Sequence, residues 1–238
     1  MRVSERIIVA LDVPTREAAL QLVDGLGEEA MFFKIGGELF SECGPEVIRA
    51  LKERGRRVFL DLKYHDIPNT VRGAVRAAAR HGVDALTVHA SGGVEMMRAA
   101  GEAAGDDGPM VLAVTLLTSL ATEEVEQIFG RSPLSLIDEV VRLGGLAVEA
   151  GLSGVVASVT EVKSLRRAYG EGLRVVTPGI RLAGDDPGDQ TRYATPENAA
   201  RAGADYLVVG RSITRAEEPA EAFRKIAAAL AAGSDEEG

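Results

Sequence analysis

Residues 59–70 read FLDLKYHDIPNT and crowd Asp61, Lys63 and Asp66 within six positions, directly after a run with the character of a buried strand. On a strand the side chains alternate, so Asp61 and Lys63 point to one side and Leu60 and Leu62 to the other. Opposite charges held close together favour the charged form of each group, which makes such a lysine a proton donor rather than a resting nucleophile. A structural ion pair is the more common reading of an isolated D-x-K. Asp12 and Lys34, expected on neighbouring strands, extend the pair into an array of alternating charge, whose desolvation plain packing would avoid. Asp66 opens the turn HDIPNT, where Pro68 restricts the chain and Asn69 or Thr70 is placed to cap the helix that follows.

A second group of residues suits an anion. The stretch TPGIRLAGDDPGDQTRYATPENA, residues 177–199, has a centre too rich in Gly, Pro and Asp for a helix and long enough to act as a lid. It carries Arg181 and Gln190. It precedes YLVVGRSI, where Gly210 permits close backbone approach and Arg211 presents a planar fork of donors matched to a phosphate. His89, in TVHASGG, reads equally as a substrate contact and as a packed histidine at a strand end. Met96 and Met97 fit a helix packing face, and the single cysteine, Cys43, reads as an inert thiol.

The elements that must position these residues recur along the chain. Strand-like runs fall at 6–13, 31–36, 57–63, 85–90, 110–118, 154–158, 174–180 and 206–213. Between them lie Ala-, Leu- and Glu-rich segments whose apolar spacing suits helices packed by one face on a sheet. Eight nearly continuous apolar strands alternating with helices predict a single-domain TIM (β/α)8 barrel over residues 1–232, followed by a short acidic tail at 233–238. In such a barrel, reactive groups collect where strands run into the following loops. Asp12, Lys34, Asp61, Lys63, His89, Thr118 and Arg211 all fall there, and the opposite rim is expected to hold no comparable set.

Composition narrows the classes. The chain has 238 residues, 46% of them hydrophobic, enough for a sizeable core, and its net charge of −9 argues against general affinity for nucleic acid or anionic membranes. A local cationic pocket is compatible with that charge. One cysteine and three histidines offer no zinc-type spacing, and neither a signal-peptide core nor an apolar run of 18 residues occurs, so a cytoplasmic location is expected.

With these residues in view, the sequence closely resembles the orotidine 5'-phosphate decarboxylase family in its bacterial form. The resemblance runs from IIVALDV through FKIGGELF, FLDLKYHDIPNTV, VHASGG, AVTLLTS and TPGIR with GDQ to YLVVGRSIT, essentially the whole chain, and the third-strand pattern D-x-K-x-x-D-I-x-x-T is specific. Leu182 and Ser212 stand where proline is expected in many members, a difference that bears on loop rigidity. The resemblance implies decarboxylation of orotidine 5'-phosphate to uridine 5'-phosphate in pyrimidine biosynthesis, without metal or organic cofactor. It implies Lys63 as proton donor, Asp61 as the carboxylate set against that of the substrate, and Lys34 and Asp12 as links from the charge array to the ribose hydroxyls. Thr118 would hold the pyrimidine edge, and Arg181, Gln190, Gly210 and Arg211 would grip the phosphate. Asp66 and Thr70 would reach the site of a partner subunit, which implies a homodimer with shared sites. A magnesium-dependent sugar-phosphate decarboxylase or epimerase on the same barrel shares D-x-K-x-x-D, and a silent phosphate binder is a third reading. HDIPNT and GDQ favour the nucleotide enzyme over the second, and the intact acid and lysine set argues against the third.

Overall fold

The computed structural model describes residues 2–132, 135–182 and 193–235. Gln190 and most of the expected lid lie outside the described residues. Eight parallel strands close into a barrel in sequence order: β1 (Ile7–Ala10), β2 (Phe32–Ile35), β3 (Arg57–Tyr64), β4 (Ala85–His89), β5 (Met110–Val114), β6 (Gly154–Val156), β7 (Arg174–Thr177) and β8 (Tyr206–Val209), with β8 pairing back onto β1. Helices fill the connections. They are α1 (Arg16–Leu26), α2 (Gly37–Cys43), α3 (Glu46–Glu53), α4 (Pro68–Arg80), α5 (Val94–Ala104), α6 (Thr122–Phe129), α7 (Leu136–Glu149), α8 (Val159–Tyr169), α9 (Pro196–Ala202), α10 (Arg211–Thr214) and α11 (Pro219–Asp235). Among the described residues no helix is long and apolar enough to cross a membrane.

Period-two alternation divides the core in two. Ile8, Ala10, Phe32, Phe59, Ala85, Leu112, Val176, Tyr206 and Val208 fill the inside of the barrel. Their neighbours Ile7, Val9, Phe33, Val58 and Leu60 face outward and pack with the helices. Each such side chain, fully buried, contributes about 1.5–3 kcal/mol. Phe32 anchors the interior, its ring centroid 6.5 Å from that of Phe59 and 6.1 Å from that of Tyr206 in an edge-on contact. The helices start on side-chain caps where the chain needs them: Thr15 accepts from the Ala18 N–H, Ser135 from Asp138 and Thr195 from Asn198.

Several expectations are corrected. Strands 1, 5, 6, 7 and 8 are shorter than their apolar runs: regular pairing ends after three to five residues, and the apolar character continues into the loops that follow. Thr118 therefore lies in the β5–α6 connection, four residues beyond β5, whereas Arg211 follows β8 as expected, at the start of α10. The expected acidic tail is helical at its start. Gly233 to Asp235 belong to α11, and Gly233 is seated so close to α9 that a Cβ there would meet the Glu197 carbonyl oxygen at 2.6 Å.

The opposite rim is not bare. Arg6, Arg166 and Asp205 line a second cavity there, but most of their hydrogen bonds serve the backbone. Arg6 donates to the carbonyls of Ala204 and Asp205, and Arg166 to those of Gly203, Gly170 and Leu173. Asp205 accepts from the Val175 N–H and from Arg166. Polar groups at this end satisfy the backbone where helices stop and strands begin.

Candidate active site

The inward columns of the barrel change character along their length. In β1 the sequence Ile8, Ala10 is followed in the same phase by Asp12; in β2 Phe32 is followed by Lys34; in β3 Phe59 is followed by Asp61; in β4 Ala85 is followed by Thr87. Apolar residues plug the lower barrel, and polar ones crown it. There Asp12, Lys34 and Asp61, but not Thr87, join Lys63, Thr118, Arg181, Gly210 and Arg211 in lining a cavity of about 530 Å³.

The charges meet in alternation. Lys34 Nζ lies 3.0 Å from Asp12 Oδ1 and 3.6 Å from Asp61 Oδ2, and Lys63 Nζ lies 3.0 Å from Asp61 Oδ1. Asp61 and Lys34 are each 12% exposed, whereas Lys63 and Asp12 stand nearer solvent. Burial alone would raise the Asp61 carboxyl. The ammonium groups of Lys34 and Lys63, with hydrogen bonds from Lys63 and Thr87, outweigh it and hold the carboxyl below the usual range, so Asp61 is a carboxylate at neutral pH.

A local irregularity produces this arrangement. Leu60 pairs with Leu86 and Tyr64 with Val88, so Asp61, Leu62 and Lys63 stand opposite the single residue Thr87. The excess is absorbed by a left-handed turn of the backbone at Lys63, φ 51°, the one non-glycine residue with positive φ among the described residues. Such a conformation costs about 1–3 kcal/mol and persists only where its surroundings enforce it. The Lys63 N–H donates to Thr87 Oγ1 at 2.9 Å, and the hydroxyl in turn donates to Asp61 Oδ1 at 3.0 Å.

Comparison with known proteins gives this arrangement a family. The model of the orotidine 5'-phosphate decarboxylase / HUMPS family matches residues 5–226. The chain belongs to this family. It is 49% identical to the orotidine 5'-phosphate decarboxylase of Moorella thermoacetica over 97% of this chain and 94% of that protein. It is 51% identical to that of Anaeromyxobacter sp. (strain K), over 97% of this chain and 100% of the relative. Among solved structures, the orotidine 5'-phosphate decarboxylase from Lactobacillus acidophilus superposes with a TM-score of 0.83 at 37% identity, covering 94% of this chain and 98% of that one.

For this member of the decarboxylase / HUMPS family, the residues singled out in the sequence divide into two sets. Asp12, Lys34, Asp61, Lys63, Thr118, Arg181, Gly210 and Arg211 share the cavity. Arg181 is buried and donates to the Ile180 carbonyl at 2.8 Å. Asp66 and Thr70 do not line it: both are exposed, beside Ile67 at 67% exposure. The Asp66 carboxylate accepts from the Ile67 N–H, and neither Asn69 nor Thr70 caps α4, which opens with Pro68 in its first turn after an uncapped Ile67.

His89 is half-buried and meets the His65 ring in a tilted contact with centroids 5.4 Å apart, outside the cavity lining. Burial, together with His65 and Lys63, pushes its imidazole below the ordinary value against the pull of Asp61. Among the described residues no three His, Cys, Asp or Glu side chains form a metal-ligating group. Sequence reasoning passed over Thr87, Glu38, Thr214 and Arg215. The last three line the cavity from α2, α10 and the residue after it, where only folding reveals proximity. Thr87 carried a signal, as a hydroxyl in the inward phase of the apolar run ALTVH.

Proposed function

We propose that this chain decarboxylates orotidine 5'-phosphate to uridine 5'-phosphate and carbon dioxide, the reaction named in its relatives, as a step of pyrimidine biosynthesis. The observation that carries the reading is the alternating Asp12–Lys34–Asp61–Lys63 array at the mouth of the cavity, in a chain matched to the family from residue 5 to 226.

Loss of carbon dioxide breaks the bond from C6 of the pyrimidine to its carboxylate and leaves the electron pair on C6, where no conventional electron sink receives it. Stabilisation must come from charge already in place. In this reading the Lys63 ammonium faces C6, stabilises the growing negative charge and transfers a proton from Nζ to it. The resulting amine recovers its proton from solvent. Asp61, kept ionised between two lysines, stands against the substrate carboxylate, whose departure relieves the repulsion. Lys34 and Asp12 hold the ribose hydroxyls, and Thr118 the pyrimidine edge. Arg181, Gln190, Gly210 and Arg211 take the phosphate. The phosphate, remote from C6, supplies binding energy that assembles the reacting end. A second copy of the chain contributes Asp66 and Thr70, whose exposure suits an interface, and the working unit is a homodimer. The chemistry draws on side chains alone.

The test follows the ultraviolet absorbance of purified protein mixed with orotidine 5'-phosphate, with and without EDTA, beside Lys63→Ala. Chelator-resistant conversion to uridine 5'-phosphate that disappears in the variant is the expected result. No conversion by well-folded protein rejects the reading and directs attention to magnesium and sugar phosphates.

A further inference from the structure

The β3–β4 pairing leaves three residues facing one, and the one is a threonine. Between the pairs Leu60–Leu86 and Tyr64–Val88, the bulged segment contains both Asp61 and Lys63, and Thr87 is the sole β4 residue opposite it. Thr87 is fully buried. A hydroxyl carries one proton and two acceptor sites. Here the Lys63 N–H must be a donor, at 2.9 Å, so the hydroxyl accepts from it and has its proton available for Asp61 Oδ1 at 3.0 Å. An ionised carboxylate only accepts, so the direction of both bonds is determined. One side chain thereby holds the left-handed backbone of Lys63 and one oxygen of Asp61, the same oxygen that Lys63 Nζ approaches at 3.0 Å.

We infer that Thr87 is a positioning residue for the proposed decarboxylation: its hydroxyl sets the distance between the Asp61 carboxylate and the Lys63 ammonium by gripping the bulge that carries both. The inference rests on the function proposed above. Thr87 is not among the residues lining the cavity, so its action on the reaction runs through its two neighbours. Catalysis by preorganised charge is sensitive to such support, because a group displaced by a fraction of an ångström no longer meets the charge developing at C6. The phosphate end, across the cavity at Arg181 and Arg211, does not depend on this contact, so binding and turnover should separate.

The test compares Thr87→Val, which keeps the shape and removes the hydroxyl, with Thr87→Ser, which keeps the hydroxyl, in the absorbance assay. Affinity for uridine 5'-phosphate is measured on the same preparations. For Thr87→Val we expect kcat to fall about 10- to 100-fold, the loss typical of one hydrogen bond to a charged group, with nucleotide affinity within about threefold of the parent. Thr87→Ser should recover most of the turnover. If the valine protein does not fold, Thr87→Cys, whose thiol is a weak donor, takes its place and should lose turnover while the serine protein keeps it. Unchanged kcat in the valine or cysteine variant, or equal losses in the variant without the hydroxyl and in the serine variant, overturns the inference. A parent enzyme that leaves orotidine 5'-phosphate unchanged overturns the proposed function, and this assignment with it; a parent that turns over beside an unaffected Thr87→Val overturns this assignment alone.

Discussion

Lys63 Nζ lies 3.0 Å from Asp61 Oδ1 although the two residues are neighbours but one on the same strand, where regular geometry would hold their side chains parallel and apart. The left-handed backbone at Lys63 brings them together. Removing the charge of one while keeping its shape isolates what the pairing does. Asp61→Asn should lower kcat by about 100-fold or more, the scale on which loss of one preorganised charge-stabilising group is felt. A variant that retains parental turnover would show that the carboxylate is a structural partner of the lysines and nothing further.

Arg211 sits at the start of α10 on the wall of the cavity, directly after Gly210 at the N-cap. As part of a phosphate grip it should distinguish nucleotide from nucleoside. Arg211→Ala should reduce the preference for uridine 5'-phosphate over uridine by about tenfold or more, because a charge-assisted, forked contact is lost. Arg211→Lys should fall between, keeping charge without the fork. Calorimetric titration with both ligands decides it, and an unchanged ratio removes Arg211 from the grip.

The exposure of Asp66, Ile67 and Thr70 bears on the proposed sharing of sites between two copies of the chain. Lys63→Ala and Asp66→Ala should each be nearly inactive alone. Mixed in equal amounts and allowed to exchange subunits, they should recover activity, since one site of each mixed dimer combines an intact Lys63 with an intact Asp66. Random exchange makes half the dimers mixed, with about a quarter of all sites restored. No recovery from a demonstrably mixed dimer would mean that Asp66 serves its own subunit.

Glu139, 3% exposed at the start of α7, is clasped by Arg142 and Arg131 at 2.6 and 2.5 Å. The hydrogen bond from Arg142 leads the effects that hold its carboxyl below the usual value of 4.5, against the opposing influence of burial. The folded state therefore binds this proton less readily than the unfolded chain. Its stabilisation is fully present above the unfolded value and is lost as pH falls through the folded one. Glu139→Gln should cost about 1–2 kcal/mol at pH 7, discounted because both arginines are half exposed, and the difference should narrow as pH drops below 4.5. Urea unfolding at several pH values checks this; a gap that stays constant with pH would trace the loss to packing rather than charge.

Much of this was legible in the order of residues. Alternating strands and helices, the inward phase of Ile8, Ala10 and Asp12 or of Phe32 and Lys34, and the pairing of acids with lysines are periodic or local properties. Local properties survive in sequence, because a side chain's face on a strand depends only on its position along it. Gly210 and Arg211 were likewise readable, though the element that bears Arg211 was not: an apolar run does not record where a strand gives way to a helix.

Only the closed barrel decided the rest. The register of β3 on β4, which puts three residues against Thr87, follows from the fit of two strands within a closed ring, and no spacing in either segment announces it. The charges at the far rim looked absent from the sequence because Arg6, Arg166 and Asp205 come from distant segments and meet at one set of backbone ends. The first residues of the expected tail are helical for the same reason: GSDEEG is polar by composition, yet Gly233 is held in α11 by its contact with α9, a partner far away in sequence. Composition and periodicity thus determined which residues face inward and which carry charge. Distances among those charges, and the threonine that holds two of them, depend on contacts between segments that only folding brings together.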